Sequence, residues 1–156
     1  MNVETHKIRP AARLLRTVGQ DLIKDLYAAI VELVKNSYDA DSEDVLILFN
    51  YDSAEQRLIV SVSDHGEGMT TETVINKWLV PATSDKLSRK RSKKNRALQG
   101  RKGIGRFAAS VLGTEIHLET VAEGTLTKLT LDMENVEEFE YLDQLDIEVT
   151  SEATTQ

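Results

Sequence analysis

Three short stretches of this 156-residue chain carry residue types that could do chemistry together. The first is Glu32-Leu-Val-Lys-Asn36-Ser-Tyr-Asp39-Ala40. On a helix turning about 100° per residue, Glu32, Asn36 and Asp39 fall within about 60° of one another. A carboxylate, an amide and a second carboxylate in one stripe suit a general base, a Mg²⁺ ligand and a hydrogen-bonding anchor. Leu22, Ala29, Leu33 and Ala40 cluster about 80–90° away, so the stripe borders the core face and can look into a cleft. An amphipathic helix with a polar shoulder would give the same pattern.

The second stretch, Asp64-His65-Gly66-Glu67-Gly68-Met69, follows directly on a strand-like run. Spaced glycines after an acid let backbone and a flat ligand approach closely, and the carboxylate can accept from an exocyclic amine. A glycine-rich turn with an exposed acid is the plainer alternative. The third is Gly100-Arg101-Lys102-Gly103-Ile104-Gly105-Arg106, ahead of a helical run. Glycines before a helix N-terminus present amides where the dipole favours anions, and Lys102 and Arg106 add positive charge. Such a segment can cradle phosphate. Its spacing matches neither the Walker A loop nor a dinucleotide fingerprint, and no βαβ unit surrounds it. His6, His65 and His117 show no transition-metal spacing and read as ordinary loop or surface residues.

Periodicity supplies the elements that must hold these stretches. It predicts a short helix over 9–18, ended by Gly19, and a second from an Asp21 cap to about Tyr38. Runs at 45–49 and 58–62 read as strands joined by the turn-like Asn50-Tyr51-Asp52-Ser53, hence an antiparallel pair. Residues 71–79 and 103–112 read as short helices, and 114–121 with 125–131 as a second hairpin around Glu123-Gly124. Trp78 and Leu79 are expected in the core. Strands and helices come in blocks, so the expected class is α+β: a two-layer sandwich of a mixed, mainly antiparallel sheet with helices on one face. Residues 86–99 are basic, polar and aperiodic, the mark of a long loop of the lid or binding kind.

Composition narrows the classes. With 40% hydrophobic and 29% charged residues the chain reads as soluble and globular. It has no apolar run of about 18 residues and no leader-like opening, so no membrane partner is expected. The lack of cysteine excludes disulfides and thiolate chemistry and fits a reducing cytoplasm. The net charge of −7 hides a strong asymmetry. Residues 86–106 hold ten of the nineteen Lys and Arg and no acid, whereas 132–152 hold nine acids and no base. The acidic stretch reads as a surface or disordered tail over 132–156, with one edge strand at 145–149 or the start of a further domain.

Taken in order, the stretches resemble the motifs of the GHKL ATPases, whose nucleotide-binding fold is the Bergerat fold. That superfamily includes the gyrase B subunit, HtpG-type chaperones, MutL and MORC proteins, and sensor histidine kinases. Gly124-Thr125 resembles the fourth motif, and the similarity covers about residues 13–131. The resemblance implies ATP and Mg²⁺ as ligands. It implies Glu32 as the base that activates water, Asn36 as the Mg²⁺ ligand, and Asp64, helped by Thr125, as acceptor of the adenine amino group. It places Asp39, Ala40, Gly66, Gly68 and Met69 around base and sugar, and Gly100, Lys102, Gly103, Ile104, Gly105 and Arg106 around the triphosphate. It makes residues 81–102 a mobile ATP lid with Thr83, Ser84 and Lys86 at its start, within an ATP-binding domain over 1–131.

Glutamate at position 32, where histidine kinases generally carry asparagine, resembles the hydrolysing MutL, MORC and HtpG-like branch. That branch takes a lysine from a second domain for which this chain has no room. The expectation is therefore a slow ATPase, the N-terminal part of a longer protein or a small switch, with ATP or ADP as ligand. An ATP-dependent homodimer and a C-terminal domain or partner protein are implied in the same way. Two alternatives stand beside it: a nucleic-acid-binding module using 86–106, which lacks aromatics for stacking, and a histidine-kinase-like phosphotransferase, which Glu32 disfavours.

Overall fold

The computed structural model describes residues 7, 9–15, 17, 23, 25–80, 91–99, 108–136 and 138–154. Expectations placed on His6, Asp21, Thr83, Ser84, Lys86, Gly100 and Lys102 to Arg106 lie outside the described residues.

Helix α1 spans Leu26–Asp39 and carries the first stretch. Its N-cap is Asp25, in place of the expected Asp21. The Asp25 Oδ1 accepts the Ala28 amide at 2.8 Å, satisfying an amide that the first turn leaves without a partner. The other end closes with paired bonds, Asp41 N–H to the Tyr38 carbonyl and Ser42 N–H to the Ser37 carbonyl, both 3.1 Å. Those bonds form a Schellman cap, whose left-handed position is usually glycine. Here it is Asp41, at φ +63°.

Strands β1 (Val45–Asp52) and β2 (Arg57–Asp64) form the expected antiparallel hairpin, each longer than the sequence suggests. Directly opposed residues share a face. Val45, Ile47, Val60 and Val62 form its half-buried side, and Asp64, opposite Val45, lies on that side. Residues Thr71–Thr73 make a single helical turn, α2, capped by Thr70 and continued as a π-turn over Val74–Trp78. That π-turn has no signature in the periodicity. Of the predicted helix over 103–112, the described portion is α3, Ala109–Leu112.

Strands β3 (Glu115–Ala122) and β4 (Thr125–Asp132) form the second expected hairpin. Strand β5, Val149–Ala153, pairs antiparallel with β4 to complete a three-stranded sheet. The architecture is thus α+β with two antiparallel sheets. Two side-chain contacts link the hairpins. Arg57 at the start of β2 pairs with Glu115 at the start of β3. Past the end of β2, the Met69 amide donates to Thr120 Oγ1 near the end of β3, at 2.8 Å.

Two apolar clusters hold the layers. One gathers Ala12, Leu15, Val74, Ile116, Leu129, Leu131, Met133 and Val136, with Met69, Trp78 and Leu79 packed against it, as expected of the last two. The other joins α1 to α3 through Ile23, Ala29, Leu33, Ala108, Val111 and Leu112.

Over its described residues the acidic stretch is folded, which corrects the reading of a surface or disordered tail. Helix α4, Met133–Val136, buries both of its terminal side chains, and Leu145, Ile147 and Val149 pack on the core. The exposed acids alternate with these apolar anchors. Residues 145–148, where an edge strand is expected, carry none; the strand lies at Val149–Ala153 and shares only Val149 with the expected range. The stretch also holds the N-terminal segment. Arg9 forks onto Asp143 at 2.7 and 3.0 Å and stacks on the Tyr141 ring at 3.9 Å. The Ala12 amide donates to the Glu140 carbonyl. The Arg9 hydrogen bond holds the Asp143 carboxyl below its ordinary value.

Truncating Met133 to Ala should cost about 2–5 kcal/mol, because a side chain only 4% exposed would leave a cavity. A urea titration reads this as a lower midpoint at unchanged slope. An unshifted midpoint would show that the acidic stretch is not part of the core.

Candidate functional site

Glu32 and Asn36 sit one turn apart on α1, both half-buried. Lys35, three residues along, donates to Glu32 Oε1 at 2.8 Å. Asp39 is only 5% exposed, and its Oδ1 accepts the Gln99 amide at 2.7 Å. Ala40 follows as the C-cap, and its carbonyl accepts the Glu67 amide at 2.8 Å. The end of the first stretch therefore grips both the second stretch and the residue immediately before the third.

The second stretch fits this grip because of its glycines. A Cβ on Gly66 would stand 2.6 Å from the Ala40 carbonyl oxygen and 2.7 Å from the Ala40 Cβ. Gly68 has φ +65°, and a Cβ there would lie 2.0 Å from the Val121 carbonyl oxygen. Side chains at these two positions would push the loop off α1 and off β3 respectively. Asp64 is exposed at the end of β2, and its Oδ1 accepts the Gly66 amide at 2.8 Å, which aligns the carboxylate with the turn.

The structure brings Asp39, Ala40, Asp64, Gly66 and Gly68 into one contiguous region. Met69 is half-buried, and its side chain packs on the main core. Thr125 is half-buried at the start of β4, opposite Ala122 and Ala153. The threonines that touch the second stretch and the turn after it are two others. Thr120 receives the Met69 amide, and Thr127, 1% exposed, meets Thr71 Oγ1 at 2.7 Å.

Sequence reasoning missed Asp41, Ser92, Lys94 and Gln99. The described part of the basic stretch is a tight turn with a bridge between Arg91 and Ala97 and Asn95 at φ +68°. It docks on Asp41, which is 4% exposed. Ser92 Oγ donates to Asp41 Oδ1 at 2.5 Å and the Lys94 amide to Oδ2 at 2.9 Å. Arg96 Nε lies 3.7 Å from the same carboxylate, Nη1 donates to the Ser42 carbonyl at 2.5 Å, and the guanidinium stacks 5.1 Å from the Tyr38 ring centre. Burial opposes the charge on Asp41, but the bonds from Ser92 and Lys94 and the charges of Arg96 and Lys94 outweigh it. The carboxyl is held below its ordinary value of 3.8 and stays ionised through mildly acidic pH. The available signals were Ser92 and Asn95, both turn formers, in a base-rich run.

Between Ala40–Asp41, His65–Glu67 and Lys93–Lys94 lies an open cleft of about 380 Å³, and Glu32, Asn36 and Asp64 stand outside its lining. Polar pairs rim this region: Lys93 forms an ion pair with Glu67 at 3.0 Å and Lys94 with Glu43 at 3.1 Å, and the His65 ring is hydrogen-bonded to Asp44 at 3.1 Å. His65 thus has a partner that the sequence did not suggest. The Lys94 and His65 pairs are exposed on both sides and contribute little to stability, whereas Glu67 in the Lys93 pair is half-buried.

A base or a general acid needs a group at hydrogen-bonding reach of its substrate, whereas an anion or a purine needs polar donors and acceptors on a closely approachable backbone. Groups of both kinds are present: Glu32 and Asn36 lie on α1, and Asp64 ends β2 just before the glycine turn that meets the C-terminal end of that helix. Among the described residues no helix is long and apolar enough to cross a membrane. None of the curated proteins compared with the chain matches it. A family model described as histidine kinase-, DNA gyrase B-, and HSP90-like ATPase matches residues 24–155, most of the chain. With that match laid over an α+β fold in which the first stretch holds the second and the residue before the third, the chain belongs to the GHKL family of ATPase domains.

Proposed function

We propose that this domain binds ATP with Mg²⁺ and hydrolyses it, as the switch of the hydrolysing MutL, MORC and HtpG-like branch. The observation that carries the proposal is the double grip of the first stretch. Asp39 holds the residue before Gly100, and the Ala40 carbonyl holds the turn that follows Asp64. A purine-binding acid and a phosphate-binding segment must stand at a set separation to share one nucleotide, and this grip links the chain segments carrying both.

In this reading Asp64 accepts the adenine amino group, helped by Thr125 at the start of β4, with Asp39, Ala40, Gly66, Gly68 and Met69 around base and sugar. The glycine-rich stretch from Gly100 to Arg106 wraps the phosphates with its amides. The donor set on α1 fits Mg²⁺. The ion is hard, takes oxygen, and uses one or two protein ligands with phosphate oxygens and water filling the rest. Asn36 supplies one such oxygen. Bound there, Mg²⁺ would neutralise charge on the phosphates. Glu32 accepts the proton of the attacking water, and the bond from Lys35 orients its carboxylate.

The nucleic-acid alternative gains little from the basic stretch. Lys93, Lys94 and Arg96 are each engaged by an acid of the domain itself. Glutamate at position 32 supports water over histidine as the phosphate acceptor.

Replacing Glu32 with Ala should lower ATP hydrolysis by about 10²–10⁴-fold while the dissociation constant for ATP stays within about threefold. Full hydrolysis in that variant would remove Glu32 from the reaction. Calorimetric titration of Asp64→Asn with ATP·Mg²⁺ and GTP·Mg²⁺ addresses the base. ATP should bind at least about tenfold more weakly than to the unaltered chain, a change of about 1.4 kcal/mol. Unchanged ATP affinity would overturn the purine assignment.

A further inference from the structure

Asp41 belongs to none of the three stretches as a reactive group, yet it carries two features that cost stability. It occupies the left-handed position of a Schellman cap, where glycine is the unstrained choice. It also buries a carboxylate, which is unfavourable unless every lone pair finds a donor. A helix terminator needs the left-handed backbone at this position but not a carboxylate on it. The carboxylate spans the described basic segment, taking Ser92 through its hydroxyl and Lys94 through its main chain. Ser92 Oγ in turn receives the Arg96 amide at 3.0 Å, so one charge organises the whole turn from 92 to 96. Three residues further on, Gln99 reaches Asp39.

We propose that Asp41 is a positioning residue of the nucleotide site. Its buried carboxylate clamps residues 92–96 to the C-terminal turn of α1 and so sets the approach of Gln99 to Asp39. Asp41 touches no nucleotide in this account. It acts through the segment it holds, and its effect on ligand affinity rests on the ATP-binding reading above. The ion pairs of Lys93 and Lys94 are not the clamp. They join flexible side chains, whereas Asp41 captures a main-chain amide and a short hydroxyl.

Asp41→Gly separates the clamp from the cap, because glycine satisfies the cap and removes the carboxylate. Asp41→Asn keeps the shape and tolerates the left-handed backbone but loses the charge, and Ser92→Ala removes one donor. Glu43→Gln, which alters only the exposed partner of the Lys94 side chain, serves as the control. Two readouts are needed. The first is trypsin cleavage after Arg91, Lys93, Lys94 and Arg96, followed by mass spectrometry without nucleotide. It should accelerate about tenfold in both Asp41 variants, less in Ser92→Ala, and not in Glu43→Gln. The second is calorimetric affinity for ATP·Mg²⁺, measured well below each variant's thermal midpoint, which should fall about three- to thirtyfold in the Asp41 variants. Unchanged cleavage in Asp41→Gly overturns the clamp. Faster cleavage with unchanged affinity overturns the positioning role. An unaltered chain that binds no ATP overturns the functional reading and the positioning role with it, while faster cleavage in the variants would still sustain the clamp.

Discussion

The structure turns on the last residues of one helix. Asp39, Ala40 and Asp41 offer a carboxylate, a carbonyl and a second carboxylate in succession, and each captures a main-chain amide from a distant part of the chain. Gln99 binds the first, Glu67 the second and Lys94 the third. Backbone amides away from water need acceptors, and these three find theirs within three consecutive residues. Helix α1 is itself fixed by Asp25 at its start and by Ile23, Ala29 and Leu33 against α3. The tie therefore transmits a well-packed position to two segments that have little core of their own.

This arrangement explains why the chemistry lies at the edge of the apolar clusters. The main core lies under the β3–β4–β5 sheet and is sealed by the π-turn over Val74–Trp78, α4 and the N-terminal segment. The second core sits between α1 and α3. Glu32 and Asn36 lie on α1, with the glycine turn against its C-terminal end. Glycine at 66 and 68 lets that turn press against α1 and β3 at distances no side chain would allow. The nucleotide reading thus asks for a helix face, a close-fitting turn and an anchored basic segment, and each has an identifiable physical cause in the chain.

Much of this was legible in the residues. Both hairpins followed from β-branched runs flanking turn residues, and the glycine spacing of the second stretch marked a close backbone approach. The cap of α1 was misplaced because Asp21 and Asp25 both precede apolar helical residues, and only the position of the Ala28 amide selects Asp25. The folding of the acidic stretch was obscured by its charge: acids at 146, 148 and 152 mask the alternating anchors Leu145, Ile147 and Val149. The turn at 91–97 was illegible as structure because its stability is tertiary. It has no apolar period, and its anchor Asp41 lies far away in sequence. The π-turn after α2 likewise reflects packing of Val74 and Trp78 on the core, which local propensity does not encode.

Amide hydrogen exchange at Glu67, Lys94 and Gln99 tests the central claim most directly, with the Ala54 amide, bound only to the exposed Asp52, as an internal reference. If one tie holds both segments, those three amides exchange with closely similar opening free energies, well slower than Ala54, and ATP·Mg²⁺ slows them together. Exchange of any of the three at the Ala54 rate, or nucleotide protection confined to one of them, would contradict the account.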